Sequence, residues 1–217
     1  LGTAITQLTT PPKLWVNASS ATIYRHATDG PQDEYTGEIE NDFSVQVCKC
    51  WEQTFYEQHT PLTRKVALRM AITLGSGGVL IPYFNLLKYG LGGHQGSGKQ
   101  MYSWIHVEDI CRMIDWFFEH EELQGTFNSS APNPVTNKEF MKTLRKVTDT
   151  KFALPAHEWM IKLGTTIIGS EAELIIKSRW VVPTKIMETG FQFRYPHLEE
   201  ALKDIVKHVP IKQYKLF

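Results

Sequence analysis

Two hydrophobic periods alternate along this chain, and that alternation constrains its fold more than any other feature. Short apolar runs ending in small polar residues alternate with longer stretches whose apolar residues recur every three or four positions. The first kind suits buried strands, the second helices that pack by one face. Strands exchanging with helices imply crossover units and an α/β sheet. Strands are expected at Leu14 to Ala18, Lys65 to Leu74, Met101 to Val107 and Gly125 to Ser129. Between the first two lies a polar, acidic loop from Arg25 to Asp42. It leads to a helix, Ser44 to Gln58, with Val47, Cys48, Trp51 and Phe55 at core spacing.

A second helix, Leu80 to Tyr89, is ended by Gly90. A third, Glu108 to Glu121, carries the stripe Ile110, Ile114, Phe117 and Phe118. Thr136 and Glu139 have capping-box spacing ahead of Phe140, Leu144 and Val147. Helices are also expected at Glu158 to Ile168, from Glu171, and at Leu198 to Val206, where Glu199 and Glu200 favour the first turn. With 217 residues the chain has room for one to two domains. The reading is a main domain over 1–131 and a smaller, mainly helical lobe over 132–217.

Composition narrows the partners. Lys+Arg and Asp+Glu are both 23, so no net charge draws the chain to nucleic acid or anionic lipid. Arg69, Lys88 and glycine-rich stretches interrupt every apolar run short of a membrane span. A small-molecule substrate is the expected partner, with neither nucleic acid nor membrane. Three cysteines are too few for a disulfide framework, and free thiols suit a reducing cytoplasm. The sequons at Asn17 and Asn128 end strand-like runs and read as chance. Leu1-Gly2-Thr3-Ala4 has neither an initiator Met nor a signal-peptide pattern, which reads as a cleavage point or a lost upstream segment.

Several clusters have a chemical reading beside a plain one. Gly93-His94-Gln95-Gly96-Ser97-Gly98-Lys99 has P-loop spacing, yet Gln100 replaces the magnesium-binding Ser or Thr and the run follows a helix. A glycine-rich loop near a ligand, or a simple turn, fits better. His94 and His106 lack ligand partners at metal spacing, so no metal is expected. Ala18-Ser19-Ser20-Ala21-Thr22-Ile23-Tyr24 clusters hydroxyls at a strand end, where parallel α/β sheets bind ligands. Such hydroxyls serve a substrate oxygen, or else they satisfy the strand's own backbone.

Ser19-Ser20-Ala21-Thr22-Ile23-Tyr24 resembles the Ser-containing strand of extended short-chain dehydrogenases, the NAD(P)-dependent epimerase/dehydratase group. Further motifs follow in family order: Val47-Cys48-x-x-Trp51-Glu52, Leu68-Arg69 to Leu74-Gly75, Gly90-Leu91-Gly92-Gly93-x-x-Gly96-Ser97-Gly98-x-Gln100, and Trp104-Ile105-His106-Val107-x-Asp109. These, with Pro183, Gly190-Phe191-x-Phe193, Pro196 and Leu198-Glu199-Glu200-Ala201-Leu202, are similar to an uncharacterised epimerase-like branch with a C-terminal domain of unknown function.

The resemblance implies the C-terminal part of a Rossmann-type parallel sheet with flanking helices, plus the small lobe. It implies an epimerase- or dehydratase-like oxidoreductase or isomerase acting on a sugar-nucleotide-like substrate with NADP or NAD. By the same resemblance Ser20 matches the catalytic Ser, and Tyr24 is the candidate for a displaced acid or base. Ser19, Arg69 and Thr73 fall on the cofactor side, and Gln100, Trp104 and His106 on the substrate side. Two departures matter. The family's glycine-rich pyrophosphate turn is absent, so tight dinucleotide binding by this chain alone is not expected. The catalytic Tyr-x-x-x-Lys is also absent, Ser44 and Cys48 standing in its place. The alternative is therefore a dinucleotide sensor or scaffold that has lost the chemistry.

Overall fold

The computed structural model describes residues 1–151, 153–156 and 177–215. A short helix α1, Gly2–Thr6, precedes the first strand, β1, Leu14–Ser20. Helix α2, Phe43–Glu57, leads to β2, Arg64–Met70. After β3 (Ile72–Leu74) and α3 (Leu80–Lys88), two short strands follow, β4 (Met101–Tyr102) and β5 (Trp104–His106). Helix α4, Val107–Glu119, feeds β6, Gly125–Ser129. The last elements are β7 (Val135–Thr136), α5 (Asn137–Val147), α6 (Thr184–Glu188) and α7 (Leu198–Lys207). The helices expected from Glu158 and Glu171 lie outside the described residues.

The central sheet is parallel in the order β1-β2-β6. β2 shows why its neighbours sit where they do, because alternate side chains of a strand point to opposite faces. Val66 and Leu68 join Ile110, Met113 and Phe117 of α4 in one core cluster. Lys65 points the other way, its Nζ donating to Phe55 O at 3.1 Å and Tyr56 O at 3.2 Å at the end of α2. The start of α2 is closed by Asp42, whose Oδ1 accepts from Val45 N at 2.8 Å. Thr136 does the same for α5, accepting from Glu139 N at 3.2 Å.

Two expected strands are each broken by one residue. The strand read as Lys65 to Leu74 divides at Ala71, whose N–H bonds Ser129 O at 2.9 Å before Ile72 turns to Ser103 O at 3.2 Å. β3 thereby leaves the central sheet and pairs in parallel with β5. The strand read as Met101 to Val107 divides at Ser103, whose hydroxyl serves the 179–181 segment: it donates to Arg179 O and accepts from Val181 N. The apolar stripe of α4 also differs. Ile110, Met113 and Phe117 are buried, whereas Ile114 and Phe118 are 39% and 69% exposed. On α2, Val45, Cys48 and Phe55 are buried and Trp51 is exposed. Both helices carry apolar residues around more than half their girth, so spacing alone allowed the wrong stripe.

The largest core joins both halves of the chain. Leu74, Leu80, Phe84 and Trp104 pack with Phe140 and Leu144 of α5 and Leu198, Leu202 and Ile205 of α7. Burying side chains of this size contributes about 1.5–3 kcal/mol each. Among the described residues no helix is long and apolar enough to cross a membrane.

Candidate active site at the carboxyl edge of the sheet

Strand register brings the polar residues together. Ser19 of β1 pairs with Arg69 of β2, and Arg69 with Asn128 of β6, so the three share one row and one face near the carboxyl ends. That is the face covered by α2. Glu52 follows Val45 and Cys48 on the inward side of that helix, four residues after Cys48, and its carboxylate reaches the row. Ser19 Oγ donates to Glu52 Oε1 at 2.6 Å. Arg69 Nε donates to the same oxygen at 2.9 Å and Nη2 to Oε2 at 2.8 Å, the two-pronged geometry that suits guanidinium and carboxylate. Arg69 Nη1 donates to Tyr24 OH at 2.8 Å, and Tyr24 OH donates to Asn128 Oδ1 at 3.0 Å.

This chain is largely closed to solvent. The side chains of Arg69 and Glu52 are 12% and 11% exposed, and Tyr24 is 1% exposed. Burial pushes the Tyr24 phenol above its ordinary range despite the guanidinium beside it. Burial is the largest influence on Arg69 and opposes its charge, but the hydrogen bonds and attraction from Glu52 and Tyr24 together outweigh it and hold the guanidinium protonated. Burial likewise raises the Glu34 carboxyl, which accepts from Asn128 N at 2.7 Å and Lys185 N at 3.2 Å.

Ser20 lies one residue beyond the row. Its Oγ accepts from Thr22 N at 3.2 Å, capping a 3-10 turn over Ala21–Ile23. That bond fixes the oxygen and uses only a lone pair, so the hydroxyl can donate. The thiol of Cys48 lies in hydrogen-bond reach of Ser20, and burial raises its pKa. Thr73 sits on β3, its Oγ1 3.4 Å from Ala71 O.

The other three candidates bond elsewhere, although the His106 Nε2 is buried without a hydrogen-bond partner among the described residues. Gln100 Nε2 donates to Gln95 O at 2.9 Å. Trp104 is fully buried, with Nε1 donating to Asn133 O at 3.2 Å. His106 caps α4, its Nδ1 accepting from Glu108 N at 3.1 Å, and its Nε2 lies 3.6 Å from Asp204 Oδ2. The structure thus joins Ser19, Arg69 and Tyr24 in one network with Ser20 alongside.

The glycine-rich run is built as a lock. The N–H groups of Gly93, Gly96 and Gly98 go to Leu154 O, Ala156 O and Gln95 O. Gln95 and Asn137 exchange paired bonds of 2.8 and 3.1 Å. Those amides are spent within the protein and cannot cradle a phosphate. Among the described residues no three His, Cys, Asp or Glu converge on a metal position.

Sequence reasoning missed Glu52 and Asn128 as site residues. A carboxylate on the inward stripe of an amphipathic helix is a usable signal, because a buried charge needs a partner. Asn128 had no such signal: its role follows from register. It is fully buried, as its place in a central strand requires.

Comparison with known proteins gives this geometry a lineage. A model for a domain of unknown function, DUF1731, matches residues 158–205. The mouse epimerase family protein SDR39U1 is 30% identical over 208 residues, covering 95% of this chain and 70% of the mouse protein. Epimerase family protein YfhF of Bacillus subtilis is 33% identical over 199 residues, 90% of this chain and 63% of its own. The crystal structure of human SDR39U1, isoform 2, with NADPH superposes with a TM-score of 0.87 at 28% identity, over 96% of this chain and 70% of that one. A UDP-N-acetylglucosamine 4-epimerase from Bacillus cereus shares the fold, with a TM-score of 0.66 at 18% identity over 88% of this chain and 62% of its own.

Proposed function

The chain belongs to the epimerase family that includes SDR39U1 and YfhF, and from that premise we propose that it serves an NAD(P)-dependent, epimerase- or dehydratase-like oxidoreduction or isomerisation of a sugar-nucleotide-like substrate. Ser20 carries the reading: a hydroxyl at the carboxyl edge of a parallel sheet, its oxygen pinned by Thr22 N and its hydrogen in reach only of the weak acceptor Cys48, which a reacting oxygen would replace. Such a donor stabilises charge developing on a reacting carbonyl or hydroxyl oxygen.

The donor set suits the nicotinamide end of a dinucleotide. Ser20 offers its hydroxyl, and Gly75, just past β3, leaves the backbone open, since a Cβ there would meet only Val107, at 3.5 Å. When bound, the nicotinamide supplies hydride acceptance and return. Ser19, Arg69 and Thr73 stand on that side, though Ser19 and Arg69 act through Glu52. Tyr24 enters the proposal as a positioning group, its phenol protonated and both its hydrogen bonds committed. Gln100, Trp104 and His106 shape the substrate side by holding the loop, core and helix start to which they are bound. The free thiols Cys48, Cys50 and Cys111 suit a reducing compartment, and the cytoplasm is the one we propose.

A second reading, a dinucleotide sensor without turnover, is favoured by the same commitment of Tyr24 and by the missing Tyr-x-x-x-Lys pair of the wider dehydrogenase superfamily, whose loss resembles the epimerase-like branch. Isotope transfer separates the two. Label moving from [4-²H]NADPH into a metabolite pool, and lost in Ser20→Ala, supports the enzyme. NADPH binding without transfer to any pool supports the sensor, and neither binding nor transfer by a protein that also carries a glycine-rich pyrophosphate turn removes both.

A further inference from the structure

The Trp51-Glu52 motif supplies the carboxylate at the centre of the network. Glu52 is carried by α2, yet its two oxygens accept three bonds from two strands: Ser19 Oγ of β1, and Nε and Nη2 of Arg69 on β2. Arg69 passes the connection to Tyr24, and Tyr24 to Asn128 of β6. Each proton has one direction: Ser19 and Arg69 donate to Glu52, Arg69 donates to Tyr24, and Tyr24 donates to Asn128. Ser19, Arg69 and Asn128 share a register row but do not bond one another. Glu52 and Tyr24 bridge them.

We propose that Glu52 and Arg69 are positioning residues that fasten the carboxyl ends of three strands into one fixed edge and thereby hold Ser20 and Tyr24 in place. The inference rests on reading that edge as the cofactor-facing one. A buried ion pair is a poor source of net stability, because desolvation offsets most of the attraction. What it does supply is geometry, since each misplacement leaves a charge unpaired. Here the carboxylate also restrains the guanidinium, which lies 5.1 Å from the Tyr24 ring centroid. Tyr24 is faced by Arg69 from β2, Asn128 from β6, Glu34 from the 25–42 loop and Cys48 from α2, with Glu52 behind Arg69. The phenol thus lies beside a cation, with Glu52 drawing that cation's field away.

The two partners must therefore act on Tyr24 in opposite directions. The test is a pH titration of Tyr24 in the 217-residue chain, read by ¹³C-tyrosine NMR and assigned with Tyr24→Phe. Glu52→Gln leaves Arg69 unneutralised and should lower the phenol's midpoint by about 1–3 units. Arg69→Met should raise it. In Glu52→Gln the amides of Ser19 and Ser20 should also exchange faster by about tenfold, the scale of one lost hydrogen bond. Should either single variant fail to fold, Glu52→Gln/Arg69→Met removes both buried charges and should titrate as Arg69→Met does. Folded variants whose Tyr24 midpoint and Ser19–Ser20 exchange match the wild type would overturn the proposal. None of these readouts needs a dinucleotide. Ser20→Ala that leaves label transfer unchanged counts against the proposed function and leaves this inference standing.

Discussion

Asp109 gives the sharpest stability prediction. It is fully buried in the first turn of α4, yet it is a carboxylate. Its Oδ1 accepts from Arg194 N at 2.7 Å and its Oδ2 from Tyr195 N at 2.9 Å. Arg112 Nη1 lies 3.3 Å from Oδ1. Asp109 thus fastens the segment before α7 to the start of α4. Asp109→Ala leaves two backbone N–H groups without an acceptor. At about 1.5–3 kcal/mol for each bond to a charged group, the loss is about 3–6 kcal/mol. A chain of this length shifts by about 2–4 °C per kcal/mol, so Tm should fall by about 6–24 °C. Asp109→Asn keeps one acceptor and turns an NH2 towards the other N–H, so it should lose at least half as much. Thermal unfolding by circular dichroism measures the loss, and hydrogen exchange at Arg194 and Tyr195 localises it. A loss below about 1 kcal/mol in the Ala variant, or unchanged exchange at both amides, refutes the reasoning.

The fold was legible where periodicity and punctuation agreed. The strand expected to end at Ala18 runs two residues further, to Ser20, while the run ending at Ser129, the capping position Thr136 and Gly90 lie where local chemistry requires. Gly90 has φ +74°, a conformation that only glycine adopts freely. The breaks at Ala71 and Ser103 were not legible, because each is set by a carbonyl distant in sequence. The inward faces of α2 and α4 were misread for a related reason. Apolar residues such as Trp51 and Phe118 stand at helical spacing on faces the sheet does not cover. The hydroxyls at the strand end were visible as a cluster, but whether a hydroxyl is free or spent is decided by its neighbours. Ser19 is spent on Glu52, whereas the Ser20 oxygen accepts from a backbone amide and its hydroxyl lies within reach of the Cys48 thiol, a weak acceptor. The row Ser19, Arg69 and Asn128 is a fact of register, and register is fixed by packing rather than by any one segment.

Ser20→Ala should reduce turnover by about 10²-fold or more with the fold intact, on whatever substrate isotope transfer identifies, and an unchanged kcat would move Ser20 to a structural role. Residues 150–217 expressed alone should show poor amide dispersion, because Leu198, Leu202 and Ile205 share their core with Leu74, Phe84 and Trp104; a dispersed, cooperative spectrum contradicts this. His106 should set part of the acid limb of stability. Burial lowers its pKa below the ordinary histidine value, against the pull of Asp204, Asp109 and Glu108. The unfolded chain therefore binds a proton more readily than the folded one. Stability from this group is full above the unfolded value of about 6.5 and is lost as pH falls below it, towards and through the folded value. His106→Asn keeps an acceptor for Glu108 N at the helix start and removes the titration. Its Tm should fall less than the wild type's as pH drops from about 7 to about 5. An acid limb as steep as the wild type's would show that His106 is not its source.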